Sequence, residues 1–246
     1  MQKERPMPTS CSITLIVPAF NEEKNLRPAI MILLDKLKER LIEDYEVLIF
    51  NDGSTDFTGD VAECLAKGNN KIKVFHHSRN LNLGYVLYRG IRTASKEYVG
   101  IFPAHNQTAP ESLDHIFSAL GRADVLAAYI ANPEARPWKR RIISRINTIL
   151  LNLLFNLKLK YYHFCFYRTS LAKQVPISTN SYAAMPEITV WLLKSGASCI
   201  QIPFMLKKGQ PRKSKALRPK NLISIFKTLI GLFWKIVVLG ERISIQ

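Results

Sequence analysis

A chain of 246 residues, 47% of them hydrophobic, can bury one substantial core and is too apolar to be disordered. Its net charge of +16 is concentrated: residues 1–135 carry 15 Lys/Arg against 17 Asp/Glu, and residues 136–246 carry 20 against 2, Glu187 and Glu241. A back half this basic attracts anions, whether phosphorylated small molecules, acidic lipid headgroups or nucleic acid; the plainer reading is a solvated basic surface. Cys11, Cys64, Cys165 and Cys199 are scattered without a C-x-x-C pair, which argues against a disulfide or zinc framework and for the reduced thiols of a cytosolic protein. Met1–Ser10 is polar and lacks the apolar stretch of a signal peptide, and no internal repeat is visible.

The apolar pattern predicts, in order, a strand over Ser12–Val17, an amphipathic helix over Glu23–Arg40 and a strand over Tyr45–Phe50. A helix over Thr58–Lys67, a strand over Lys71–His76, a helix over Gly84–Ala94 and a buried strand over Tyr98–Phe102 follow. Next come a helix over Glu111–Leu120, with Pro110 suited to its start, and a strand over Asp124–Tyr129. This alternation predicts an α/β fold with a doubly wound, mostly parallel sheet through about residue 130. Beyond it the pattern is less regular: a helix over Lys139–Leu157, a short strand over Tyr161–Tyr167, a helix over Ala184–Ser195 stopped by Gly196, and a strand over Cys199–Lys207. A basic loop, Lys207–Lys220, leads to an apolar helix over Asn221–Leu239. The expected organisation is one domain over residues 1–217 and a C-terminal amphipathic, membrane-surface helix over 218–246.

Two polar motifs close the first two strands: Pro18-Ala19-Phe20-Asn21-Glu22-Glu23 and Asn51-Asp52-Gly53-Ser54-Thr55-Asp56. Carboxyl ends of adjacent parallel strands are where open α/β sheets bind ligands. A carboxylate such as Asp52, ahead of a Gly-Ser turn, can accept hydrogen bonds from a base N–H or ribose hydroxyls. Alone, Asp52 would read as a turn cap and Glu22 as a helix start. Together, in this order and spacing, the motifs resemble the nucleotide-binding half of family 2 glycosyltransferases, which have the GT-A fold. The resemblance runs over nearly the whole chain and points to the dolichol-phosphate mannose synthase branch, which glycosylates polyprenyl phosphates. It implies that Pro18, Ala19, Phe20, Glu22, Asp52 and Ser54 bind the nucleotide of a UDP- or GDP-linked sugar.

The chain also departs from that family. The family's Gly-x-Gly turn becomes Asn82-Leu83-Gly84, a change Asn tolerates because it enters the left-handed region more easily than most residues. Where the family places Asp-x-Asp to hold Mg2+ or Mn2+, this chain has Pro103 and His105, with no carboxylate between Glu97 and Glu111. Hard divalent ions prefer oxygen ligands, so one imidazole and two amides are a weak set. Three outcomes stay open: His105 holds a metal with help from the diphosphate, cations from the basic half replace the metal, or turnover is lost. An arginine expected six residues past Asp124 is Ile130 here, which leaves Arg136 as a substitute if it moves in.

Other features persist. Lys139-Arg140-Arg141-Ile142-Ile143-Ser144-Arg145 matches the family's basic helix start, and Arg141 and Arg145 share one helix face from which guanidiniums can clamp a phosphate. Arg212-Lys213-Ser214-Lys215 resembles a family loop that closes over donor and acceptor phosphates. The implied roles are His105, Arg212 and Lys215 in catalysis and Arg141, Arg145 and Lys213 on the acceptor phosphate. Leu222–Leu239 carries Lys227 and Lys235, so an in-plane interfacial helix suits it better than a membrane span. The expectation is a cytoplasmic enzyme, peripheral on the inner membrane face, moving a sugar to a polyprenyl phosphate with inversion. The alternatives are a non-catalytic nucleotide-binding partner subunit and a nucleic-acid binder. No nucleic-acid module supports the last.

Overall fold

A computed structural model describes residues 11–207 and 219–245, the side chains of residues 219 and 220 excepted. The basic loop's Arg212 and Lys215, expected in catalysis, and Lys213, expected on the acceptor phosphate, lie outside the described residues. The elements are β1 (Ile13–Ala19), α1 (Leu26–Glu39), β2 (Tyr45–Asp52), α2 (Thr58–Gly68), β3 (Ile72–His77), α3 (Leu83–Thr93), β4 (Tyr98–Ile101) and α4 (Pro110–Phe117). They continue with β5 (Val125–Ile130), α5 (Trp138–Phe155), β6 (Tyr162–Arg168), the short α6 (Thr169–Ala172), α7 (Ala184–Lys194), β7 (Cys199–Phe204) and α8 (Pro219–Phe233). A single π turn, Trp234–Val238, extends α8. Every predicted element is present; α6 was not foreseen.

The seven strands form one sheet in the order β3-β2-β1-β4-β6-β5-β7. β1 lies parallel to both β2 and β4, β2 parallel to β3 and β5 parallel to β7. Only β6 runs against its neighbours. The chain winds outward from β1 through β2 to β3, then returns to β4 on the other side of β1. That reversal opens a crevice at the carboxyl edge between β1 and β4, the position at which such sheets take ligands.

Side-chain alternation distributes the core to both faces. Ile13, Leu15, Val17, Val47 and Ile49 point to the face covered by α1, α2 and α4. Ile16, Leu48 and Phe50 point to the opposite face, where α3, α5, α7 and α8 contribute Val86, Leu151, Phe155, Ile188, Trp191, Leu229 and Ile236. Burial on both sides explains the unbroken apolar runs of β1 and β2. α5 stops at Asn156, whose left-handed φ of 50° ends the helix, and α7 stops just ahead of Gly196 at φ 97°.

Gly100 of β4 sits opposite Phe166 of β6. A Cβ there would fall 2.0 Å from Phe166 Cδ1, so the ring fills the space a side chain would need. Gly100→Ala is expected to lower the unfolding free energy by about 1–3 kcal/mol, because Phe166 is 1% exposed and has nowhere to go. Urea denaturation tests this; an unchanged midpoint would mean the ring can yield.

Candidate active site

The loops leaving β1 and β2 are tied to each other by side chain to backbone hydrogen bonds. Asn21 N–H donates to Ser54 Oγ (3.0 Å), and Thr55 N–H donates to Asn21 Oδ1 (2.9 Å). Glu22 N–H donates to Thr58 Oγ1 (2.7 Å) and Glu23 N–H to Asp56 Oδ2 (3.2 Å), while Phe57 N–H donates to Glu23 Oε2 (3.2 Å). Thr58 N–H and hydroxyl both donate to Asp56 Oδ1. The two sequence motifs are therefore the two halves of one clasp. Glu22, 5% exposed, also starts α1: its carbonyl accepts from the N–H groups of Asn25 and Leu26, and its carboxylate accepts from Asn25 Nδ2 at 2.8 Å. Pro18 and Phe20 are half-buried and Ala19 is buried at the same edge.

Asp52 is 4% exposed, and both its oxygens are occupied. Oδ1 accepts from Leu81 N–H (2.9 Å) and Oδ2 from Asn82 N–H (3.1 Å), immediately ahead of α3. His77 Nδ1 lies 2.8 Å from Oδ1, and Arg89 Nη1 lies 3.2 Å from His77 Nε2. A guanidinium only donates, so Nε2 accepts and Nδ1 carries the hydrogen that Asp52 takes. In this arrangement Asp52 orders residues 78–82. The Asp52 carboxylate also complements the positive end of the α3 dipole. Gly53, at φ 72°, lets loop 78–82 lie against it: a Cβ would sit 2.4 Å from the Arg79 carbonyl carbon.

Asn82 has φ 71° and ψ 163°. The positive φ agrees with its standing in a glycine's place. The ψ lies outside the left-handed helical well, in a region almost reserved for glycine. Gly84 is held by close packing, its N–H donating to the Asn180 carbonyl at 3.0 Å and its Cα facing the backbone of Thr179 and Asn180.

At the exit of β4 the residues do not suit a divalent cation. His105 is half-buried, and the Asn106 amide oxygen is taken by Lys207 Nζ at 2.6 Å. Among the described residues no three His, Cys, Asp or Glu side chains gather around a point that an ion could occupy. Cations gather instead. Arg136, 6% exposed, places Nη2 3.2 Å from His163 Nδ1 and its guanidinium over the Tyr161 ring. His163, packed against Phe164 and Phe204, is held well below the usual imidazole pKa by burial and by the charges of Arg136, Arg140 and His105. Burial also lowers the Lys207 pKa. His163 and Lys207 were not singled out in the sequence. A lone imidazole inside the aromatic run of β6 was the available signal.

Further out, Arg145 is exposed and Arg141 half-buried on α5. Glu187, 2% exposed, accepts from Ser178 with both its oxygens, and burial raises its pKa.

Residues 14–175 match the profile of glycosyl transferase family 2. The chain belongs to that family. Its curated relatives include a putative glycosyltransferase, EpsH, of Bacillus subtilis, 30% identical over 45% of this chain and 30% of its own length. Another is the dodecaprenyl-phosphate galacturonate synthase of Rhizobium johnstonii, 24% identical over 72% of this chain and 54% of its own length. The chain spans from about a quarter to about half of the curated relatives it matches. Among solved structures, S. aureus TarS in complex with UDP-GlcNAc superposes with a TM-score of 0.60 at 19% identity, over 91% of this chain and 66% of that one. The mannosyltransferase PcManGT of Pyrobaculum calidifontis, in complex with GDP-Man and Mn2+, gives 0.62 at 13%, over 98% and 68%. At these identities the structures establish a GT-A fold for this family 2 chain, with an apolar C-terminal helix added.

Asp52→Ala is expected to cost about 3 kcal/mol, because two backbone N–H groups and His77 lose a charged acceptor. Hydrogen exchange across residues 78–82 should accelerate with it. A variant of unchanged stability that loses only nucleotide binding would place the Asp52 carboxylate on the ligand instead. Asn82→Gly should stabilise the protein by about 1 kcal/mol by relieving the backbone, as read by the denaturation midpoint.

Proposed function

We propose that this chain transfers a sugar from a nucleoside diphosphate to a membrane-borne polyprenyl phosphate, inverting the anomeric centre. The observation that carries the reading is the clasped pair of loops at the crevice between β1 and β4, in a chain of this family. The nucleotide lies over Pro18, Ala19, Phe20 and Ser54, in a cleft shaped by Glu22 and Asp52. TarS and PcManGT, bound to a UDP-sugar and to GDP-mannose, support a donor of that class. The galacturonate synthase supports the polyprenyl-phosphate acceptor by its name.

The chemistry asks little of a general base. A phosphate acceptor is largely ionised near neutral pH, its second pKa being about 6. Its oxygen can attack the anomeric carbon as the bond to the leaving diphosphate breaks. The demanding part is charge developing on that diphosphate, which preorganised cations stabilise. His105 stands at the β4 exit for that task, Arg212, Lys213 and Lys215 belong to the loop beyond β7, and Arg141 and Arg145 face the acceptor.

A peripheral position on an anionic membrane fits the surface. Trp138, Ile142, Ile146, Ile149 and Leu153 recur every three or four residues along the outward side of α5, each between 48% and 75% exposed. Ile223, Phe226, Ile230 and Trp234 do the same on α8, between 52% and 60%. The two helices touch through Phe155 and Phe233. Lys139, Arg145, Lys227 and Lys235 stand exposed beside these stripes. Asn221–Val238 is by length and composition long and apolar enough to cross a bilayer, with mean hydropathy 1.6. Its Leu229, Leu232 and Ile236 nevertheless belong to the core of the globular body, which favours lying in the interface.

A second reading is a nucleotide-binding subunit without turnover, favoured by Pro103 and His105 in place of carboxylates. Incubation with UDP- and GDP-sugars and vesicles containing a polyprenyl phosphate separates the two. Glycosyl transfer is expected; binding without transfer or donor hydrolysis would favour the second reading. Flotation with anionic vesicles should succeed for the wild type and drop several-fold for Ile146→Glu and Ile230→Glu, each charge costing about 2–3 kcal/mol in an apolar layer. Equal flotation of both variants would remove the membrane assignment.

A further inference from the structure

We infer that the donor diphosphate is held without a divalent metal, in a cationic pocket built from Arg136, Lys207 and His105 beside His163. The inference deepens the proposed function and rests on its nucleotide-sugar donor.

The geometry begins with placement. β4 neighbours β1, and β6 neighbours β4, so the exit of β4 and the start of β6 continue the crevice away from the clasped loops. His105 follows β4, and His163 lies near the start of the reversed strand β6, at the same edge of the sheet. Arg136 arrives from beyond β5 and reaches His163 Nδ1. Lys207 arrives from beyond β7, its N–H donating to the Gln107 carbonyl at 2.9 Å and its Nζ to Asn106. A donor whose nucleoside lies over β1 and β2 extends its phosphates in this direction.

Next comes charge. Arg136 is almost fully buried, and its Nε has no hydrogen-bond partner among the described residues. Among the described residues, Tyr161 and no carboxylate acts on its guanidinium. His163 cannot neutralise it: Nδ1 accepts from the guanidinium, and the ring is neutral. Residues 98–110 and 188–240 contain no Asp or Glu at all, so neither the β4 exit nor the basic loop supplies a counter-charge. A buried guanidinium normally has an anionic partner, and its fork matches phosphate oxygens in bidentate fashion. A divalent cation, by contrast, would meet Arg136 and Lys207 and find one imidazole and amide oxygens as ligands. The same cluster that repels a metal offers donors to a diphosphate.

Isothermal titration of the full chain with UDP and with GDP, in excess EDTA and in Mn2+, tests this. The expected affinity in EDTA is within about twofold of that in Mn2+, and Arg136→Met should weaken binding by about tenfold or more in both. That variant should keep its thermal midpoint, because it deletes an uncompensated buried charge. Lys207→Ala should weaken binding about threefold and decides the matter together with the EDTA arm if Arg136→Met does not fold. Binding lost in EDTA and restored by Mn2+ would overturn the inference and leave the donor reading standing. Undiminished binding by folded Arg136→Met would do the same. No binding of either nucleotide under any condition would overturn both.

Discussion

The loops that leave β1 and β2 cannot be positioned independently. Asn21, after β1, both donates to and accepts from the loop after β2, through Ser54 and Thr55, and Glu22, Glu23, Asp56 and Thr58 close the remaining gaps. Because the strands beneath are parallel and in register from Ile13 with Tyr45 to Ala19 with Asn51, both loops leave the sheet at the same height. Asp52 then extends the arrangement to residues 78–82, through which α3 begins. Three successive crossover turns are thus locked by polar side chains rather than by apolar packing. Such a rim can stay hydrated and open without losing its shape, which a nucleotide cleft needs.

The other half of the crevice obeys a different constraint. β6 enters between β4 and β5 in reverse, bringing its first residues to the rim where the carboxyl ends of the other strands lie. That reversal delivers His163 beside Arg136 and sets a cationic patch against a nearly neutral front half. The segregation of charge along the chain therefore becomes a segregation across one cleft. The outward faces of α5 and α8 extend the basic half into an apolar surface, so under the proposed function the side that meets phosphate is also the side turned to the membrane.

Much of this was legible beforehand. β1 and β2 announce themselves because burial on both faces leaves unbroken apolar runs, and the motifs after them carried the family. Gly196 and Pro110 marked helix ends correctly because each acts through its own backbone. What escaped was whatever depends on distant partners. Nothing local says that β6 runs backwards, since strand direction is decided by the sheet and not by composition. Nor does a D-G-S turn reveal that Asp52 holds Leu81 and Asn82, about 30 residues away. The polar letters of both motifs read as ligand contacts, and the sequence did not show that many also hold the loops. Arg136 was visible only as a substitute for a missing residue; its burial without an acid needed the third dimension.

The proposed donor site is one rim, made of these clasped loops and continued by the inferred cationic pocket. Hydrogen exchange of the full chain, with and without UDP or GDP, reads that rim directly. Protection should rise in residues 18–23, 51–58 and 78–82 and around residues 103–107, and stay unchanged along α1 and α4. Protection confined to other segments, or none at any nucleotide concentration, would contradict it.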